Sequence, residues 1–214
     1  MQIFWHGNTC VRIEAEHGDQ KATLVTDPYG PETGLRFPRT LAPDVVALSH
    51  EDPKRFPDDA FTNTPFLINH PGEYEANGLF VFGISLATPE APSPTNLIYR
   101  FEIEGMNIGF LGGLHRVLTE SEIEKLGTID ILLLPVGGGE LLDSKRAVEV
   151  MNAVEPRLVI PLAHQVEGLK QELGTADSFC KQVGVCTRTD GNKLKISRKD
   201  LPSDTLTVAV LERA

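Results

Sequence analysis

The segment Asp44-Val45-Val46-Ala47-Leu48-Ser49-His50-Glu51-Asp52-Pro53-Lys54-Arg55 constrains this chain more than any other stretch. Val45 to Leu48 is a short β-branched and apolar run, the pattern of a buried strand. It empties directly into Ser-His and a charged segment, and rigid strands aim side chains that the following loop exposes. If strand geometry continues for two more residues, His50 and Asp52 leave the same face and can share one metal ion. The competing reading is a polar turn with one capping Asp.

The flanking sequence is rich in strand signals. Gln2 to Trp5, Cys10 to Ala15 and Ala22 to Thr26 read as successive strands, and Asp27-Pro28 ends the third because proline cannot continue a ladder. Further strands are expected at Pro65 to Ile68, Leu79 to Ser85, Asn96 to Ile103 and Met106 to Leu111. The pattern then changes. Thr119 with Glu122 forms a capping box for a short helix ending at Gly127. Asp143 caps a second helix, with Ala147, Met151 and Val154 on one face and Pro156 closing it, and a third spans about Thr175 to Gln182. Asp130 to Val136 and Arg157 to Leu162 are continuous apolar runs, as in strands covered on both faces, and Leu194 to Ser197 and Leu206 to Leu211 complete the set. Two sheets packed face to face with helices outside satisfy both halves.

With 214 residues, the chain is read as one domain over 1–214 with a substantial core. Its formal net charge of -10 disfavours a nonspecific nucleic-acid or anionic-membrane binder. No run approaches the ~18 to 20 apolar residues of a membrane span, and Met1 to His6 lacks the basic start and apolar core of a signal peptide. Cys10, Cys180 and Cys186 are an odd, scattered set, which argues against a disulfide framework and for a reducing compartment. The expected location is cytoplasmic, and a homo-oligomer is compatible with all of this.

A series of landmarks resembles the metallo-β-lactamase fold superfamily, in its small bacterial Zn-dependent-hydrolase branch related to ascorbate-phosphate lactonase. They are Trp5-His6-Gly7-Asn8-Thr9-Cys10, Thr26-Asp27-Pro28, Leu48-Ser49-His50, Pro71-Gly72-Glu73-Tyr74-Glu75, Phe110-Leu111-Gly112-Gly113-Leu114, Asp130 to Gly139 and Val159-Ile160-Pro161. The resemblance covers nearly the whole chain and implies a four-layer αββα sandwich with its site at the strand ends between the sheets.

The metal ligands that the resemblance implies are mostly replaced. Where relatives carry His-x-His-x-Asp-His, this chain keeps His50, has Asp52 at the second histidine and Lys54-Arg55 at the Asp-His pair. Charged Lys and Arg cannot ligate a metal. The bridging Asp falls on Gly113, the final His on Ala163, and the N-terminal Gly-His reads Gly7-Asn8. Against these losses, His70, His115 and His164 sit in or beside loops expected to line the site. A rearranged zinc (or Mn/Fe) centre would draw on His50, Asp52, His164 and either His115 or His70, although a one-residue shift at a strand end normally turns a side chain away.

Lys54, Arg55, Arg116 and His115 near the cleft would suit a small anion such as a phosphate ester or carboxylate, and would equally serve as solvated surface charge. Glu73 and Glu75 offer acid–base or ligand contacts, with a turn through Gly72 as the plainer role. Gly137-Gly138-Gly139 is either a phosphate cradle or a tight turn flanking the cleft. Two functional readings follow. The preferred one is a pseudoenzyme, needing no cofactor, whose cleft binds a small anion or a protein partner. The alternative is a divergent metal-dependent hydrolase of lactones, esters or phosphodiesters.

Overall fold

Two β-sheets stacked face to face carry the chain in a computed structural model, which describes residues 1–18, 20–50, 60–86, 96–203 and 205–214. In chain order the elements are β1 (Gln2–Gly7), β2 (Cys10–His17), β3 (Gln20–Thr26), β4 (Val45–Ala47), β5 (Phe66–Ile68), β6 (Gly72–Ala76), β7 (Leu79–Ser85), β8 (Leu97–Ile103) and β9 (Met106–Phe110). There follow α1 (Glu120–Leu126), β10 (Ile131–Pro135), α2 (Ser144–Val154), β11 (Leu158–Leu162), α3 (Ala176–Val183), β12 (Thr187–Arg188), β13 (Leu194–Lys195) and β14 (Thr207–Val210). One sheet runs β13-β1-β2-β3-β4-β5 and the other β12-β14-β11-β10-β9-β8-β7-β6. Both are mixed: β3, β4 and β5 pair in parallel, as do β9, β10, β11 and β14, while the hairpins are antiparallel.

Side-chain alternation explains the layers. Val45 and Ala47 of β4 point between the sheets, whereas Val46 and Leu48 join Cys10, Val25, Leu35 and Leu41 on the outer side of the first sheet. In β10, Ile131 and Leu133 face the sandwich interior, and Leu132 and Leu134 face Ala147, Val150, Met151 and Phe179 of the helices. A strand buried on both faces needs such an uninterrupted apolar run. Among the described residues the outer face of the first sheet is covered by the loop 28–44, with a 3-10 turn at Pro31–Thr33, together with Leu169 and its neighbours Val166 and Leu173, and not by an α-helix.

The three expected helices are present and capped as their sequences imply. Thr119 and Glu122 exchange reciprocal hydrogen bonds at α1, Asp143 accepts from Arg146 N–H at α2, and Thr175 accepts from Ser178 N–H at α3. Three features differ from the sequence reading. Gly72–Ala76 is a strand pairing with β7, not a turn, because its residues alternate in register with Leu79 to Gly83. The two-residue β12 is too short to leave a periodic signal. Cys180 and Cys186 form a disulfide with Cα atoms 5.6 Å apart, and Cys10 is free and buried. Gly184, in the left-handed region at φ 88°, ends α3 and turns the chain back so that Cys186 meets Cys180. The cysteine pattern therefore encodes one local clip and gives no support to a reducing compartment.

Tyr99 is fully buried between the sheets, stacked with Phe101 and donating its hydroxyl to the carbonyls of Leu48 (2.6 Å) and Ile68 (3.2 Å). It thereby holds the ends of β4 and β5 against the second sheet. Burial drives the phenol pKa far up, so the hydroxyl stays a donor throughout the working range. Tyr99→Phe is expected to cost about 1 to 3 kcal/mol by leaving two buried carbonyls without this donor. Urea denaturation would show this as a lower midpoint at unchanged slope, and an unchanged midpoint would remove this role from Tyr99.

Candidate functional site

The strand ends converge on Asp27. Its residue follows β3 with φ 36°, a left-handed turn that swings the carboxylate back across the end of β4. Asp27 is 5% exposed. One carboxylate oxygen accepts the Ser49 N–H (2.7 Å) and the other accepts the Ser49 hydroxyl (2.6 Å). The same hydroxyl accepts the N–H of Gly113, at 3.0 Å, from the loop after β9. Leu97 N–H donates to Ser49 O at 2.8 Å, and His50 forms a bridge with Asn96. Asp27, Ser49 and Gly113 thus tie three strand ends from both sheets at one point. Gly112 is required here: a Cβ on it would lie 2.3 Å from that of Ser49, and its φ is 29°.

A cleft of about 330 Å³ opens over this knot, bordered by Asn8, Tyr29, Glu32, His50, Glu140 and Gln171 among others. His50 Nε2 lies 3.9 Å from Asp27 Oδ1, and its Nδ1 has no hydrogen-bond partner among the described residues. His115 is exposed nearby, with Nδ1 3.0 Å from the Asn96 side-chain nitrogen. Burial, reinforced by the neighbouring Cys10, pushes the Tyr29 phenol up to about 12, so it stays neutral and donates to the His6 carbonyl. Burial also raises the Cys10 thiol, with Asp27 adding to the effect, which removes it as a nucleophile at neutral pH.

The other sequence candidates lie elsewhere. His164 follows Ala163, whose φ of 49° turns the chain, and Ala163 N–H bonds to Asn8 O at 2.8 Å. Beyond this ridge the His164 ring packs on Trp5 (centroids 4.2 Å apart) and lines a different cavity. His70 is exposed with Nδ1 2.7 Å from the Asn69 side chain, and Glu73 is exposed on the edge strand β6. Arg116 is bound through two nitrogens to Glu122 at 2.6 and 2.8 Å, which raises the guanidinium pKa and makes it a staple of the α1 cap. Asp52, Lys54 and Arg55 lie outside the described residues. Gly137-Gly138-Gly139 is a tight turn beside the cleft, where a Cβ on Gly137 would lie 2.0 Å from Ala163 O. The residue that the sequence reading passed over is Asp27, quoted there only as a landmark.

Zinc needs about four nitrogen, oxygen or sulfur donors in tetrahedral array. His50 and Asp27 supply two at most, both Asp27 oxygens already hold Ser49 protons, and Gly113 and Ala163 bring no donor atoms. Among the described residues no group of three His, Cys, Asp or Glu side chains is placed to hold an ion. The described residues by themselves do not fit a zinc centre.

Two predictions follow from the local chemistry. Ser49→Ala is expected to lower stability by about 1 to 3 kcal/mol, since Asp27 and the Gly113 N–H each lose a buried partner. Thermal or chemical unfolding of the variant measures this loss. His6 and His164 both have pKa values lowered from 6.5 to about 4, chiefly by burial, with Arg12 adding to the effect at His6 and Arg188 at His164. Their stabilisation is complete above pH 6.5 and is lost as pH falls toward 4, because the unfolded chain takes up the protons first. Each group should remove about 3 kcal/mol over that window. His164→Phe is expected to make the decline of unfolding free energy with pH shallower by one proton.

Comparison with known proteins agrees with this architecture. The family described as "Beta-lactamase superfamily domain" matches residues 2–163. A UPF0173 protein of Pyrococcus abyssi is 34% identical over 204 residues, covering 81% of this chain and 90% of the relative. A UPF0173 metal-dependent hydrolase of Thermoplasma acidophilum is 24% identical over 197 residues, covering 76% and 82%. The crystal structure of a candidate Zn-dependent hydrolase of the metallo-β-lactamase superfamily from Thermotoga maritima superposes with a TM-score of 0.79 at 30% identity, covering 98% of this chain and 97% of that one. On sequence and on fold together, this chain belongs to the metallo-β-lactamase superfamily.

Proposed function

We propose that this protein is a pseudoenzyme of its superfamily, a binding protein whose cleft takes a small polar molecule without a catalytic metal. One observation carries the proposal: the Asp27 carboxylate is turned inward and satisfied by Ser49, with Ser49 in turn holding Gly113, at the strand ends where catalytic members are expected to gather their ligands. A carboxylate used in this way supports the fold at the expense of the metal. A protein partner docking over the same strand ends is compatible with this reading.

Charge indicates the kind of small molecule. The expectation of an anion rests on Lys54, Arg55 and Arg116, of which the first two lie outside the described residues and the third is neutralised by Glu122. The described lining of the cleft instead carries Asp27, Glu32 and Glu140, with no Lys or Arg among them. Such a lining suits a neutral or cationic ligand with several hydroxyl or amine donors better than a phosphate ester.

The second reading, a divergent metal-dependent hydrolase, is favoured by the 3.9 Å approach of His50 to Asp27 and by the activity named for the Thermoplasma relative. In that case a single ion would supply activated water for lactone, ester or phosphodiester hydrolysis.

The readings separate on metal. Elemental analysis of untagged protein purified without chelator is expected to find far less than stoichiometric Zn, Mn or Fe. Chelator should leave the melting temperature unchanged, and His50→Ala should shift it little. Near-stoichiometric metal together with a chelator-induced drop in melting temperature, as mass action requires of a native-state ligand, would replace the pseudoenzyme with the hydrolase.

A further inference from the structure

Beyond the Asn8–Ala163 ridge lies a second cavity of about 350 Å³, with no part in the cleft just described. Its inner wall is Trp5 and His164, 1% and 5% exposed. His164 Nδ1 lies 3.4 Å from the Gln165 carbonyl, which places the ring proton on that nitrogen. Nε2 is then a buried lone pair, and it has no partner among the described residues. A buried polar atom left in this state on a cavity wall marks a position that a ligand donor fills.

The rim is built to hold both signs of charge. Thr175, Ala176 and Asp177 present the N-terminal turn of α3, whose first amides have no intrahelical acceptor. Asp177 pairs with Arg188 of β12, and Glu212 and Arg213, just past the end of β14, complete the rim, with the Arg213 side chain bonded to the Tyr29 hydroxyl. Of the charged residues at the rim, Arg188 and Asp177 are the two whose charges act on the neutral imidazole. Val166, Val210 and the indole of Trp5 supply an apolar patch. The Cys180–Cys186 bridge fastens α3 to the segment leading into β12, which keeps Asp177 and Arg188 in register.

We propose that this cavity is a second ligand site, for a small zwitterion of the α-amino-acid class. The carboxylate lies against Arg188 and the α3 N-terminus, and the ammonium donates to His164 Nε2 with Glu212 at the rim beyond it. A short aliphatic side chain rests on Val166, Val210 and the indole. A bare carboxylate leaves His164 unanswered, and a simple amine leaves the helix end unanswered.

Trp5 is the only tryptophan in the chain, so emission excited beyond the absorption of the three tyrosines reports on the indole in this cavity wall. The experiment titrates the full-length protein with individual non-aromatic amino acids to millimolar concentration, with lactate and ethylamine as carriers of one charge each. The expected result is a saturable change in Trp5 emission with at least one amino acid and a response at least about tenfold weaker to lactate and ethylamine. His164→Phe and the surface change Glu212→Gln should each weaken binding about tenfold, whereas His50→Ala in the neighbouring cleft should leave it unchanged. The proposal is overturned if no amino acid gives a saturable change, if lactate binds equally well, or if Glu212→Gln and His164→Phe, both confirmed as folded, bind like the parent protein.

Discussion

The architecture at the functional end of the molecule hangs on one buried carboxylate. Asp27 takes both protons that Ser49 can offer, and the Ser49 hydroxyl then takes the Gly113 amide. The end of β3, the end of β4 and the loop after β9 are thereby fixed to one another across the two sheets. Tyr99 reinforces the same point from below through the Leu48 carbonyl. A buried carboxylate is costly unless each of its oxygens is answered, and here each is. The consequence is chemical: a carboxylate whose two oxygens each already hold a Ser49 proton is less available to an ion.

The same economy extends outward. Gly112 and Gly113 let the β9 loop approach Ser49 closely, and an acid side chain at 113 would meet Asn96 and Ser49 within ordinary or tighter contact. Ala163 uses its amide to close on Asn8, and this hydrogen bond divides the strand ends into two cavities of opposite design. One is a cleft over Asp27 with an acidic border. The other is walled by a neutral histidine and the sole tryptophan, with charges of both signs at its mouth. This chain's own histidines are distributed between separate environments, His50 over the cleft and His164 in the second cavity.

Much of this was legible in the residues. Alternation and continuous apolar runs located nearly all the strands, and capping patterns at Thr119 and Asp143 located two of the three expected helices, because both signals are local. The one-residue offset of His164 from Ala163 counted against its reaching the cleft, although His164 stayed among the candidate ligands. What failed was non-local. Asp27 next to Pro28 reads as a strand terminator, and nothing in its neighbourhood tells that Ser49, twenty-two residues on, will claim both its oxygens. Arg116 looked like a free cation because its partner Glu122 was already assigned to the cap, and the pairing of the two depends on how the loop enters α1. Gly72–Ala76 was hidden as a strand because Gly72 and the preceding proline give the signal of a turn, and the pairing with β7 overrides it. The Cys180–Cys186 link was masked by the odd cysteine count, which an isolated local bridge beside one buried thiol satisfies just as well.

We propose that Asp27 belongs to a self-satisfied polar knot with Ser49 and Gly113, and that it and the unpartnered His50 beside it hold no metal. Cobalt(II) tests it most directly, because a tetrahedral protein site gives intense visible bands that the hydrated ion lacks. Titration of the chelator-treated protein with Co(II) at neutral pH is predicted to yield only the weak spectrum of the aqueous ion. Strong bands that saturate at a stoichiometric amount of metal, and disappear in His50→Ala, would contradict the account.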